Sequence, residues 1–280
     1  VNSLGEYYME SKHPLGNRAP RYACVLHSLE EVRAGRGPIF IDCTGLTDED
    51  LEHLETTLGY DKDTLPDYLE QRGEVLRRQP VEIMVSEGMQ AGPTECNGSG
   101  VKIDGEAATT VPGLFAAGDS ADHNRCVHGA ITGGYRAGKS AAQYAKSLNG
   151  KPREPHSLTR ERIERFMAPL HRASGYSYRQ IEDTIRKIMS EHVGMSRTDL
   201  GLRTGLEKLE RLEAHLDEIK VSDLHELMRS RETRSILTVG KMMASAARFR
   251  TESRNKPYHH RLDYPETDDT NWSGLVVVQK

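Results

Sequence analysis

Residues 133–140 read Gly-Gly-Tyr-Arg-Ala-Gly-Lys-Ser and satisfy the spacing G-x-x-x-x-G-K-S. In a phosphate-binding loop that spacing lets glycine amides cradle phosphate oxygens while Lys139 neutralises them and Ser140 reaches magnesium. The surroundings do not supply the rest of such a loop. The preceding residues, 127–132, are too few and too small for the buried strand that must feed it. The nearest apolar strand ending in an acid, Ile39 to Asp42, lies far upstream.

The same region admits a different guest. A short apolar strand, Leu114 to Ala117, runs into Gly118-Asp119, and after a glycine-rich loop a small-residue helix is expected to begin near Gly133 or Gly134. A helix entered through glycines turns unpaired N–H groups and the positive end of its dipole on whatever precedes it, which suits an anionic or electron-rich group. Gly118, Gly133 and Gly134 are therefore candidate cofactor-binding residues.

These residues need elements to hold them. The chain has 280 residues, enough for two modest domains, with 36% hydrophobic and 29% charged residues and a formal net charge of -4. That balance gives no general case for nucleic-acid or membrane binding. No apolar run approaches the ~18–20 residues of a membrane-spanning helix, so a cytoplasmic protein is expected. Cys24, Cys43, Cys96 and Cys126 are widely spaced, and without a C-x-x-C pair they suggest neither zinc nor an iron–sulfur cluster. A metal site from His259, His260 and Asp263 lacks further ligands.

Periodicity divides the chain into three parts, 1–80, 81–150 and 151–280. The first holds a helix carrying Ala23, Leu26, Leu29 and Val32 and stopped by Gly35, a strand at Ile39 to Asp42, and a helix capped by Thr47 and Asp50. The second has strands at Val81 to Val85 and Val101 to Asp104. The third carries four helical stripes: Ile163, Phe166, Met167 and Leu170; Ile181, Ile185, Ile188 and Met189; Leu202, Leu206, Leu209, Leu212 and Leu216; Ile236, Val239, Met243 and Ala247. Their spacing predicts a helix bundle. Arg229, Arg231 and Arg234, with Arg248, Arg250 and Arg254, form a basic series able to face an acidic partner.

The run VPGLFAAGDSA followed by CVHGA resembles the FAD-closing segment of the fumarate reductase/succinate dehydrogenase flavoprotein superfamily. Two further stretches carry the resemblance. Near the start stand Leu4-Gly5-Glu6-Tyr7-Tyr8-Met9, Ala19-Pro20-Arg21 and Glu31-Val32-Arg33-Ala34-Gly35-Arg36-Gly37. Near the end stand Arg250 to Arg254, His260 to Pro265 and Asp268 to Trp272. The resemblance implies an α/β plus all-α protein, a partial FAD-binding and capping domain followed by a C-terminal helical bundle. It also implies FAD as cofactor, a small-molecule substrate, hydride transfer and an iron–sulfur partner subunit.

By position the resemblance gives Asp119 to the flavin's ribityl chain, the amides near Tyr135, Arg136 and Ala137 to the pyrimidine edge of its ring, and Arg21 to proton delivery, with Glu87 and His128 shaping the site. Two departures stand out. Glu87 occupies the place where fumarate reductases bring a histidine, as the adenylylsulfate reductase flavoprotein does with a glutamate. Ile131-Thr132 replaces the Asn-Arg that clamps a substrate carboxylate, and Arg136 lies one helical turn on. No G-x-G-x-x-G follows a strand at the amino end, which implies that the dinucleotide-binding half lies elsewhere. The other readings are a phosphate-loop nucleotide-binding protein and a non-catalytic docking subunit of a redox complex.

Overall fold

A computed structural model describes residues 1–61, 64–73, 76–83, 100–122, 126–148, 150, 157–254 and 259–279. The chain divides into two compact units, Val1–Gln90 and Ala91–Lys280.

In the first unit α1 (Met9–Lys12) precedes α2 (Arg21–Glu31), which Pro20 admits because its missing N–H is not needed at a helix start. The helix widens into a last π turn, Val32–Arg36, in which Gly35 takes φ 78° and ends it, as its position predicts. β1 (Ile39–Ile41) pairs antiparallel with β2 (Val81–Ile83), Ile39 opposite Ile83. Then come α3 (Asp48–Asp61) and α4 (Thr64–Gln71). Thr47 caps α3 through its Oγ1, which accepts from the Asp50 amide at 3.1 Å.

A buried ion pair fixes this unit. Glu31, 2% exposed, accepts from Arg36 Nε at 2.6 Å, Arg36 Nη2 at 2.7 Å and Asn2 Nδ2 at 3.0 Å. The Arg36 and Asn2 hydrogen bonds outweigh burial and hold the Glu31 carboxyl down at about 2. Asn2 Oδ1 in turn accepts from the amides of Leu4 and Glu6, so the first turn is tied to the end of α2.

In the second unit residues 100–122 form a compact loop held by isolated bridges, Val101 with Ala121 and Ala108 with Phe115. The expected strands Leu114 to Ala117 and Val101 to Asp104 are thus extended segments with single bridges. α5 (Cys126–Ser147) follows. The bundle comprises α6 (Ser157–Met167), α7 (Tyr178–Ile188), α8 (Asp199–Glu213) and α9 (Leu224–Phe249), with α10 (Asp269–Trp272) in the tail. Ser177 and Gln180 make a full capping box for α7, while Thr198 and Asp223 cap α8 and α9.

Ile181, Ile185, Ile188, Leu209, Leu216, Leu227 and Leu237 make the main core, and Val193, Leu202, Ala244 and Ala247 a second cluster. The α7 and α8 stripes are as expected. The α9 stripe is not. Ile236, Val239 and Met243 are exposed, and Ser230, Thr233, Leu237, Gly240, Ala244 and Ala247 face inward. Small residues win that face because they let the backbones approach; a Cβ on Gly240 would lie 3.1 Å from Met189 Sδ. Ile163 and Phe166 of α6 are likewise exposed.

The tail docks through charge. β3 (Ser196–Arg197) pairs parallel with β4 (His260–Arg261). Glu252, 1% exposed, accepts from Arg250, from Arg254 Nε at 2.7 Å and from the Asp268 amide at 2.8 Å. Among the described residues no helix is long and apolar enough to cross a membrane.

Candidate functional site

The candidate site is built on the close approach of the 100–122 loop to α5. Asp104 starts it, its Oδ1 accepting from the amides of Glu106 and Ala108 at 2.9 Å each. This Asx-type turn returns the chain along 108–117 to Gly118, whose φ of 63° favours glycine. A Cβ there would lie 3.2 Å from the Cβ of Ala130, and one on Gly133 would lie 3.5 Å from the Cβ of Ala117. Gly118 and Gly133 therefore serve one contact, the seating of the Gly118-Asp119 turn on α5.

Further along α5 the same face is anchored by Arg136 Nη1, which donates to the Gly105 carbonyl at 3.2 Å, and by Ser140 Oγ with Glu106 Oε2, also at 3.2 Å. Tyr144 packs edge-on against Phe115, ring centroids 6.2 Å apart. Ala130, Gly133, Ala137, Ser140 and Tyr144 recur at three- and four-residue spacing, so one helical face meets the loop.

The helix does not begin where the glycines suggest. α5 starts at Cys126, and Gly133 and Gly134 lie in its second and third turns. Each interior glycine costs a helix about 1 kcal/mol relative to alanine, and at 133 the position packs on Ala117 and Gly118, where an added Cβ would sit at van der Waals distance. The consequence is direct: the amides of Tyr135, Arg136 and Ala137 sit at interior positions, whose N–H groups bond within a helix. The amides without intrahelical acceptors are those of the first turn, Cys126 to Gly129.

The phosphate-loop reading fails on the same geometry. Residues 133–140 are helix rather than loop, and Ser140 is buried against Glu106 instead of facing an open cradle.

The other candidates fall as follows. Asp119 is exposed at the turn and His128 is exposed in the first turn of α5, where its carbonyl accepts from Thr132 Oγ1 at 2.8 Å. Gly134 and Gly138 face open space. Tyr135 is 77% exposed and continues a stripe with Val127 and Ile131 at spacing four. That stripe is an apolar strip on a helix flank, readable from the spacing alone, yet only Tyr135 of it, through its amide, was among the candidate residues. Arg21 belongs to the Val1–Gln90 unit, where its backbone opens α2; its side chain, and all of Glu87, lie outside the described part.

The residues present suit a flat, partly apolar group. They offer the Val127–Ile131–Tyr135 strip, open glycine surface at Gly134 and Gly138, an exposed carboxylate at Asp119 and the positive end of a 22-residue helix. Among the described residues no cluster of three or more His, Cys, Asp or Glu could hold a metal ion.

Comparison with known proteins gives a consistent answer. Residues 182–280 match the family model described as the fumarate reductase flavoprotein C-terminal region. An uncharacterised FAD-dependent oxidoreductase of Methanocaldococcus jannaschii is 26% identical across 97% of this chain and 48% of its own length. The succinate dehydrogenase flavoprotein subunit of Coxiella burnetii is 28% identical across 97% and 49%. Among solved structures, an E. coli quinol fumarate reductase superposes with a TM-score of 0.67 at 21% identity, over 97% of this chain and 50% of that one. Adenylylsulfate reductase from Archaeoglobus fulgidus gives 0.63 at 22%, over 97% and 51%. The chain thus spans about half the length of the relatives it matches. Its helical bundle with a partial α/β portion has the fold of the corresponding half of those structures, and over 97% of its length the chain is similar to flavoproteins of the fumarate reductase and succinate dehydrogenase kind.

Proposed function

We propose that this chain is the C-terminal portion of an FAD-dependent oxidoreductase that moves hydride between flavin and a small substrate. The observation that supports it most is the similarity to flavoproteins across 97% of the chain, joined to a Gly118-Asp119 turn seated on the face of α5. FAD, when bound, supplies hydride exchange at its N5 position.

The chain's own residues supply the setting. Asp119 accepts hydrogens from the sugar-alcohol chain of the cofactor. The first turn of α5 turns its unpaired amides and positive dipole end towards the electron-rich edge of the ring, an interaction of about 0.3–2 kcal/mol. Val127, Ile131 and Tyr135 shield the ring from water. Arg21 gives or takes the substrate proton, and carboxylates must relay to it because a free guanidinium hardly deprotonates. Glu87 and His128 shape the substrate side. The dinucleotide-binding half and an iron–sulfur partner complete the proposal, both resting on the resemblance.

The test uses the complete protein with its dinucleotide-binding half. Asp119→Ala should lower flavin content at least tenfold, read from visible absorbance. Arg21→Ala should keep the flavin spectrum and lose dye-coupled turnover by about 10²-fold or more. Full flavin content in Asp119→Ala removes that residue from the cofactor site, and full turnover in Arg21→Ala removes the arginine from the chemistry.

The exposed α9 face of Ile236, Val239, Met242 and Met243 favours a second reading, a non-catalytic docking subunit. That reading expects no flavin even beside the other half.

A further inference from the structure

The basic series on α9 resolves into two kinds of arginine. Arg229 pairs with Glu232 and, at 3.7 Å, with Glu182; Arg248 pairs with Asp199 at 2.9 Å; Arg250 and Arg254 are taken by Glu252, and Arg254 also by Asp269 at 2.8 Å. Arg231 has no carboxylate partner among the described residues and Arg234 has the highly exposed Asp217; the two lie three residues apart and so on one helical face.

Arg231 crosses to the C-terminal end of α6. Its Nη2 donates to the carbonyls of Arg165 and Phe166, and its guanidinium lies 4.4 Å from the centroid of the Phe166 ring. Its Nε is buried and has no hydrogen-bond partner among the described residues. Arg234 Nη2 donates at 2.6 Å to Asp217, a carboxylate 82% exposed. Arg172, six residues beyond Phe166, donates from Nη1 to the carbonyl of Ile219, two residues beyond Asp217. Lys220 Nζ donates at 2.9 Å to the carbonyl of Ala173. Residues 165–173, 217–220 and 231–234 thus gather three guanidinium groups, of which Arg234 alone pairs with a carboxylate, the solvated Asp217, while Arg172 and Arg231 bond to backbone carbonyls.

We propose that Arg172, Arg231 and Arg234 form a binding site for an oxyanion, a phosphate or carboxylate group held by guanidinium forks. Charge-assisted, bidentate pairing is what planar guanidinium offers such groups and what a single exposed aspartate does not exhaust. Arg231 is held in place by helix carbonyls and contributes field, while Arg172 and Arg234 supply the accessible donors. Burial first, then the charges of Arg234 and Arg172, push the Arg231 pKa down, with Asp217 opposing, the signature of a cation short of negative charge. The site is independent of the flavin assignment.

The test is a titration of the complete protein with inorganic phosphate against sodium chloride at matched ionic strength, read as thermal unfolding. A saturable rise of about 2–5 °C is expected. Arg172→Gln/Arg234→Gln should weaken the apparent affinity at least tenfold, while Arg248→Gln, whose partner is Asp199, should respond as the parent does. If the double variant lacks native circular dichroism, Arg234→Gln alone is read, with a weakening of at least threefold. Titration with acetate identifies the ligand class: tighter saturation by acetate assigns the site to carboxylates, by phosphate to phosphate groups. A linear, unsaturating rise shared by all variants is a general salt effect and overturns the site, as does the absence of any rise above chloride.

Discussion

Arg261 and Asp263 stand two residues apart in the tail and together join the ends of two helices. Arg261 is fully buried and pairs with Asp263 through Nε and Nη2, both at 2.8 Å. Its Nη1 reaches the carbonyls of Ala247, Arg248 and Arg250 at 3.0, 3.2 and 3.0 Å, the unpaired acceptors at the close of α9. Asp263 Oδ2 accepts from the amide of Asp199 at 2.7 Å, at the opening of α8. A cation thus sits at the negative end of one helix and an anion at the positive end of another. Arg261→Ala should cost about 3–5 kcal/mol in urea unfolding because it strands Asp263 and the α9 carbonyls. Arg261→Lys should recover only part, since an ammonium cannot fill both fork positions.

Glu252 gives a pH-dependent counterpart. Burial opposes its charge, but hydrogen bonds from Arg254, the Asp268 amide and Arg250 prevail and lower its pKa to about 2. A depressed carboxyl stabilises the fold above its unfolded value, and that contribution is lost as pH falls from about 4.5 through about 2. Glu252→Gln should be less stable than the parent at neutral pH, and the gap in melting temperature should narrow below pH ~4.5.

His259 acts in the same direction over a higher pH window. Its Nδ1 lies 2.8 Å from Arg197 Nη1, and its Nε2 is buried without a partner among the described residues. Desolvation first, then the charge of Arg197, lowers its pKa to about 4. The unfolded chain takes up the proton more readily between pH ~6.5 and about 4, so stability should fall across that window as pH drops. His259→Gln should flatten this slope, and an unchanged slope assigns it to other groups.

Glycine substitutions along α5 separate helix from loop. Gly134 and Gly138 are helical with nothing within 4 Å of an added Cβ, so alanine at either should stabilise by about 1 kcal/mol. Gly118→Ala should destabilise by about 1–2 kcal/mol, since φ 63° is strained for any Cβ. Loss of stability in Gly134→Ala, measured by denaturant unfolding, contradicts the helical assignment.

That contrast marks what the letters revealed and what they concealed. The leucine stripe of α8, the Thr47 cap and the Gly35 stop were legible because each depends on its own few residues. The start of α5 was not. Gly133 reads as a helix breaker until it is seen packed inside the helix against Ala117 and Gly118. The face of α9 was hidden for a similar reason: hydrophobicity picks Ile236 and Val239, whereas close packing against Met189 picks Gly240. The tail motif was recognised by its lettering, but its role as a charge bridge between α8 and α9 needed three dimensions.

The bridge has a bearing on the order of events during synthesis. Both helices leave the ribosome before the residues that fasten them, so α9 emerges with its last carbonyls bare and waits for Arg261. A nascent chain halted short of that point leaves the last turn of α9 without its fastening and a partly apolar helix exposed.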